Sequence, residues 1–566
     1  MKHKIMMSAV VLGVAISACS NPSNETHATS PDMCISGGTI YSGVGDSHTN
    51  NAVLVKDGKI VEIAEPLACN NFSAETTKIV HLDGAFLYPG FVDGHGHFLG
   101  IGLRELTLNL EGTRSIKELQ DKLAQEVAKT PEGTTIFGRG WIETHWPENR
   151  FPTKEDLDTV APNHIVILER ADGHAIVINS NALRAVNISK DTKPPFGGDI
   201  LIGKDGNPSG MLIDLAASLV GDLMPVITDE RKQAAFIKAS EVYTAYGWTG
   251  LQSMSVDAGN VEMMEQLSGN GRIKLRVYNA VDIKGANTLL DKITAGGAQT
   301  SKDGHIITRG LKFYADGALG SRGAALLAPY SDDPKNSGLL LSTKETLMPI
   351  YERALRDGIQ TSTHAIGDRA NRLVLDWYEE AFAKIPVGER KVAEPRWRIE
   401  HSQILDVRDI KRFSQLGVIA SMQMSHAIGD LHFAPDRLGH DRLAGGYAWR
   451  SLIDSGALII GGTDAPVERG DPRVEFYAAV ARKDIKGFSN ADWYPSEKLT
   501  RSEALALFTS APAYGAFAEK QAGTIAVGKN ADFTIFSKDI MTIPEAEILT
   551  VETVMTIVDG EIVYKK

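Results

Sequence analysis

Two histidines set two residues apart, His95 and His97 in Pro89-Gly90-Phe91-Val92-Asp93-Gly94-His95-Gly96-His97, are the first chemical signal in this chain. They follow residues 86–92, which read as a short buried strand. Side chains two apart on extended backbone point the same way, so both imidazoles can reach one metal ion. Neighbouring histidines are often incidental, and the weight comes from what recurs downstream. Lys312 lies in Gly310-Leu311-Lys312-Phe313-Tyr314-Ala315-Asp316-Gly317. His364 follows Thr361-Ser362-Thr363, His401 follows Arg398-Ile399-Glu400, and Asp464 follows Gly461-Gly462-Thr463. Each alone could cap an element or satisfy a core. Together they fall on strand-like segments in order, and the C-terminal face of a parallel β/α barrel is where such side chains build an active site.

Lys312 calls for separate treatment. A lysine within a barrel strand is costly unless it is paired or chemically altered. Desolvation depresses its pKa, and the neutral amine can add carbon dioxide to give a carbamate, an anion able to bridge two cations. The competing arrangement is an ion pair with Asp316 or another carboxylate.

Positioning these residues requires a repeating frame, and the chain has one. Strand-like runs at 86–92, 249–253, 275–280, 310–315, 360–364, 397–401, 418–422 and 458–462 alternate with amphipathic helical stretches. Asp229–Tyr246 ends at Gly247 and 346–357 ends at Gly358, both helix-stop signals. The pattern predicts an α/β fold: a TIM (β/α)8 barrel from 89–103 and 229–514. Residues 104–228 are too long for a βα connection and carry strand-like runs of their own at 135–137 and 165–168. They are expected to form an inserted α+β subdomain over the barrel mouth. Residues 34–88 and 515–566 are rich in short strands with Asp57-Gly58 and Asp559-Gly560 turn signals. Neither end has enough apolar surface to fold alone, so the two are expected to make one small β-sandwich.

Residues 1–18 are expected to be a signal peptide. Lys2 and Lys4 precede a short apolar run, and Ile16-Ser17-Ala18-Cys19 resembles a bacterial lipobox, with Ile where Leu is commoner. Cys19 would then carry lipid and 19–33 would be a flexible tether. The expected location is the cell envelope, bound to the membrane through the N-terminal lipid; Ser20 favours the periplasmic face of the outer membrane in a Gram-negative cell. Cys34 and Cys69 remain, either as a disulfide or as two buried thiols. The 43% hydrophobic content suits a large packed core, and the net charge of −12 without a basic block excludes nucleic acid as an expected partner. A homodimer is compatible with all of this.

The ordered set of motifs resembles the amidohydrolase superfamily, most closely amidohydrolase family 3, the YtcJ-like group that includes N-substituted formamide deformylases. The resemblance runs from about Cys34 to the C-terminus. It rests on 89–97, Arg170-Ala171-Asp172-Gly173-His174, 310–322, His364-Ala365-Ile366-Gly367-Asp368, Glu400-His401, Thr463-Asp464-Ala465-Pro466 and Ala522-Gly523-Thr524-Ile525. It implies a divalent metal, usually zinc, held as one or two ions by His95, His97, His364, His401 and Asp464, with carboxylated Lys312 bridging if there are two. It also implies Asp172 and His174 as substrate contacts, against an ordinary loop network. After the seventh strand, Gln423-Met424-Ser425-His426 has Met424 where the family has proline. A looser turn is expected there, with His426 a candidate substrate contact.

Imidazole and carboxylate ligands suit zinc with an open position for water, whose lowered pKa supplies hydroxide at neutral pH. Asp464 would serve as ligand and as the catalytic proton shuttle. The expected activity is hydrolysis of a C–N bond in a small non-peptide amide, of the N-substituted formamide or N-acyl type. Alternatives are another bond on the same fold (cyclic amide, deamination, ester) or a non-catalytic lipid-anchored scaffold.

Overall fold

The computed structural model describes residues 30–566 except 145, 297 and 490–492, so the signal segment, Cys19 and most of the tether lie outside the described residues. Eight parallel strands neighbour one another in chain order: β1 (Phe91–Gly96), β2 (Trp248–Val256), β3 (Arg276–Val281), β4 (Ile306–Tyr314), β5 (Gln360–Ala365), β6 (Arg398–His401), β7 (Ile419–Gln423) and β8 (Ile459–Gly462). A two-residue strand, Gln299–Thr300, adds antiparallel to β4. Between β8 and β1 the His95 carbonyl accepts the N–H groups of Thr463 and Asp464, at 3.1 and 2.6 Å, and His97 N–H donates to Ala465 O at 2.7 Å. Only glycine fits at this seam, because a Cβ on Gly462 would lie 2.4 Å from the His95 nitrogen. The barrel expected from the sequence is therefore present.

Helices follow the strands for the reasons legible in the sequence. Asp229–Tyr246 starts where the Thr228 side chain accepts from Arg231 N–H and ends at Gly247, whose φ of 105° only glycine adopts freely. Its Phe236, Ala239 and Tyr243 are buried against Phe91, Phe98 and Trp248. Burying each such aromatic is worth about 1.5–3 kcal/mol.

One boundary differs from expectation. The run 86–92 is two strands: Phe86–Pro89 pairs with Phe533–Phe536, and β1 begins only at Phe91. The chain crosses from one sheet to the other at Gly90, where a Cβ would meet Thr249 Oγ1 at 2.3 Å. His95 consequently lies inside β1 and not beyond a strand's end, and His97 directly precedes the helix Phe98–Leu106.

Both chain ends build sheets around a common core. Lys59–Ala64, Ala52–Lys56, Met33–Ser36 and Lys78–His81 form one. Glu561–Lys565, Thr553–Val558, Phe533–Phe536, Phe86–Pro89, Thr39–Tyr41 and His48–Thr49 form the other. Ile35 and Val53 of the first share one buried cluster with Leu87, Phe533 and Ile557 of the second. Cys34 and Cys69 are joined as a disulfide, which removes the alternative of two free thiols.

Between β1 and β2, a six-stranded sheet runs Gly198–Ile202, Pro208–Asp214, Ala175–Ile178, Ile165–Arg170, Thr135–Trp141, Leu108–Asn109. Val166 and Leu168 face one apolar cluster and Ile167 the other, so the unbroken run Ile165-Val166-Ile167-Leu168 is a strand covered on both faces. Among the described residues no helix is long and apolar enough to cross a membrane.

Candidate active site

Strand register sets the first ring of side chains. Lys312 pairs with Ser362, Tyr314 with His364, and Ala365 with His401, so along β4, β5 and β6 Lys312 sits two residues deeper than His364, and His401 one residue nearer the C-terminal end. The ring centroids of His364 and His401 are 4.5 Å apart, those of His401 and His95 4.9 Å, and those of His95 and His97 5.6 Å. Asp464 closes the group: its Oδ1 lies 3.2 Å from His95 Nε2 and 2.9 Å from His97 Nε2.

The opposite nitrogens are already engaged. His95 Nδ1 is 2.6 Å from Glu400 Oε2, His97 Nδ1 is 3.2 Å from the Met254 carbonyl, and His401 Nδ1 is 2.7 Å from Gln423 Oε1. Each Nδ1–H donates outward, which leaves an Nε2 lone pair facing the centre, the tautomer a metal needs. The buried His364 Nε2 has no hydrogen-bond partner and stands 3.5 Å from Asp316 Oδ1. Burial holds His364 and His401 well below the ordinary imidazole range, in the neutral form that ligates.

Two triads can each hold one cation with ligand atoms within 4.8 Å of one another: His95, His97 and Asp464, and His401, His426 and Asp464. His426, expected as a substrate contact, thus stands among the potential ligands. Its ring stacks 5.9 Å from that of His401, and its Nε2 is 3.8 Å from Asp464 Oδ2. The turn that carries it is not loose. The helix Met424–Asp430 follows β7 at once, and Glu475 Oε2 accepts the N–H groups of Met424 and Ser425 at 2.9 and 3.0 Å. A proline at 424 would have no N–H to give Glu475.

Lys312 is 1% exposed, with Nζ 3.5 Å from His95 Nε2. Burial pulls its amine down to about 8. The alternative ion pair with Asp316 is absent. That carboxylate instead accepts Ala325, Ile366 and Gly367 N–H at 2.8, 3.0 and 2.8 Å, and burial lifts it to about 7.

Three buried groups escaped the sequence reading. Asp93 Oδ1 accepts His95 N–H at 3.0 Å and Thr463 N–H at 2.9 Å. Its Oδ2 accepts Tyr243 OH at 2.8 Å and Thr463 Oγ1–H at 2.6 Å, which ties β1 to β8. Glu400 is paired with Arg398 at 2.7 Å, and despite full burial Arg398 and His95 hold its carboxyl far below the usual range. The spacing Arg398-x-Glu400 within a strand, two charges on one face, was the available signal.

His97, Lys312, His364, His401 and Asp464 line a cavity of about 1200 Å³, together with Arg139, Asp172 and His174 from the sheet between β1 and β2 and Glu468 after β8. Asp172 pairs with Arg170 and accepts His174 N–H at 3.0 Å. His174 Nδ1 is 2.8 Å from Asp214 Oδ1. The donor set fits a divalent metal: converging neutral imidazoles, one carboxylate held well below its usual range by His95 and His97 in spite of burial, and an orphaned buried nitrogen.

Comparison with known proteins agrees with this geometry. Residues 78–564 match the family described as the amidohydrolase family. The chain is similar to the Bacillus subtilis (strain 168) protein YtcJ, named as a proposed amidohydrolase, at 33% identity over 539 residues, covering 94% of this chain and 99% of the relative. It is also similar to N-substituted formamide deformylase of Arthrobacter pascens, at 25% identity over 532 residues, covering 91% of this chain and 95% of the relative. Among solved structures, an uncharacterized metal-dependent hydrolase from Pyrococcus horikoshii OT3 aligns with a TM-score of 0.72 at 26% identity, covering 91% of this chain and 99% of that chain.

Proposed function

The chain belongs to the amidohydrolase family, metal-dependent hydrolases acting on C–N bonds, and on that premise we propose that it hydrolyses a small non-peptide amide, of the N-substituted formamide or N-acyl class. The observation that carries this reading is the outward engagement of three imidazole Nδ1 atoms, which turns their Nε2 atoms toward Asp464 beneath a large cavity.

His95, His97, His364, His401 and Asp464 would hold the metal, with zinc the best match to the donors. When bound it would supply Lewis acidity and hydroxide at neutral pH. Asp464 moves the proton: its Oδ1, converging with the His95 and His97 Nε2 atoms, would be the ligand oxygen, and Oδ2, on the His426 side, takes the proton from water and returns it to the leaving amine. Glu400 and Gln423 keep the ring tautomers fixed. Lys312, whose amine burial pulls down to about 8, would in its neutral form add carbon dioxide through a new N–C bond with loss of its proton, and the carbamate would be a further anionic ligand if a second ion is held. The end sheets as a β-sandwich, 104–228 as an inserted subdomain shaping the pocket, and a lipid anchor at Cys19 in the cell envelope belong to the same reading.

Metal analysis by mass spectrometry tests it. Two equivalents in the wild type, falling to one or none in Lys312→Ala, are expected. One equivalent unaffected by the substitution removes Lys312 from the site. No metal in either protein, after purification with zinc and bicarbonate, overturns the hydrolase reading in favour of a scaffold. Side-by-side assay of formamides, N-acyl amino acids, cyclic amides and esters sets the bond.

A further inference from the structure

Asp214 lies outside the motifs read from the sequence, yet its carboxylate reaches His174, a residue of the cavity wall. It ends the strand Pro208–Asp214 at φ 46° and ψ −125°, a conformation that favours glycine and is costly for any residue with a Cβ. The strained backbone does two things. It aims Asp214 Oδ1 at His174 Nδ1, 2.8 Å away, and it places Asp214 N–H 2.9 Å from the His174 carbonyl. The carboxylate also crosses to the segment after β4, where a Cβ on Gly323 would lie 3.0 Å from Oδ2 and one on Gly317 3.4 Å from Oδ1. A strained aspartate, two glycines that make room for it and a histidine held at both ends form a built arrangement.

With Nδ1–H donated to Asp214, the neutral His174 ring leaves its Nε2 lone pair for the cavity, with its centroid 6.2 Å from that of His364. We propose that His174 and Asp214 form a substrate-orienting dyad in which His174 Nε2 accepts the N–H of a secondary amide and Asp214 is the positioning residue that fixes the ring. This rests on the amide-hydrolase reading and narrows it: amides bearing N–H are taken in preference to N-alkylated amides and esters. The logic is that of an aspartate holding a catalytic imidazole in one tautomer, where an amide replacement presents the wrong nitrogen.

The test compares kcat/KM for formanilide and N-methylformanilide, and for acetanilide and N-methylacetanilide, in the wild type, Asp214→Asn, Asp214→Gly and His174→Gln. The wild type is expected to favour the N–H member of each pair by about tenfold or more, as a site that hydrogen-bonds its substrate does. In Asp214→Asn and Asp214→Gly the preference is expected to collapse toward one. Asp214→Gly also keeps or raises Tm, since it relieves the positive φ, so that lost discrimination cannot be ascribed to unfolding. His174→Gln, which keeps an acceptor near Nε2, retains part of the preference. Equal preference in all four proteins, or both members falling together with Tm, overturns the dyad while leaving the hydrolase intact. No turnover of any anilide or of phenyl acetate by metal-loaded wild type overturns the hydrolase reading and the dyad with it.

Discussion

Glu475 offers a test of the electrostatics beneath the site. It lies on the helix Pro472–Ala481, 1% exposed, and accepts the first two N–H groups of the helix that carries His426. Burial lifts its carboxyl to about 8, against an ordinary value of 4.5, with the Met424 and Ser425 bonds only partly opposing. Between these two values the unfolded chain has lost the proton and the folded chain keeps it. Stability therefore falls as pH rises through that window, by about 1.4 kcal/mol per pH unit. From pH 5.5 to 7.5 the loss is about 3 kcal/mol. Glu475→Gln keeps the acceptor toward Met424 and Ser425 but does not titrate. Its stability relative to wild type should rise by that same amount over the interval, read from urea unfolding at both pH values. Asp316 and Asp430, each lifted to about 7 chiefly by burial, titrate in both proteins and cancel in the difference; Glu468, which burial and Glu475 lift well above the usual range, does not, so the pair is compared in a Glu468→Gln background. A difference that is flat with pH, or that shrinks toward pH 7.5, refutes the assignment of a protonated Glu475.

Glu400→Gln loses the charge that holds His95 Nδ1–H at 2.6 Å. Metal affinity should weaken by roughly 10–100-fold, measured by chelator competition, and Tm should fall as well, because the buried Arg398 loses its carboxylate. Asp464→Asn suits the left-handed backbone at φ 58°, which asparagine tolerates. It should keep Tm within a few degrees while turnover falls by about 10²-fold or more, because the amide cannot carry the proton. Replacing Cys34 and Cys69 by serine opens a loop of sequence separation 35 and should cost up to about 4 kcal/mol in the end sheets, seen as a lower unfolding midpoint without loss of metal.

The barrel was legible because its signals are local. Eight strand-like runs with helix stops such as Gly247 between them needed no long-range information, and the chemistry-bearing residues stood in them or directly after them. The split at Gly90 was not legible, because 86–92 is continuously apolar and what divides it is the side chain of Thr249, more than 150 residues away. Asp93 was overlooked for a related reason. Its partners, Tyr243 and Thr463, come from distant segments, and a lone aspartate before His-x-His reads as one more polar residue. At Met424 a departure from the family motif suggested looseness, whereas the structure turns the extra N–H into a bond with Glu475. Sequence shows which groups are present; which group satisfies which depends on the closed fold.

The backbone at the two shortest barrel strands sets the aim of two site residues. β6 and β8 have four residues each, and the residues that matter, His401 and Asp464, take φ of 74° and 58°. A strand ending this early would let the next side chain drift outward; a left-handed residue re-aims it to the axis at a cost of about 1–3 kcal/mol. That cost is met by bonds within the barrel: Asp464 N–H to the His95 carbonyl at 2.6 Å, and His401 Nδ1–H to Gln423 at 2.7 Å. Both bonds run to a neighbouring strand, so the positions of these two side chains are set by strand neighbours within the barrel. His174 is supported differently, by a strained Asp214 on the inserted sheet. On the proposed reading, the barrel fixes the side chains that would hold the metal, and the sheet between β1 and β2 shapes what reaches them.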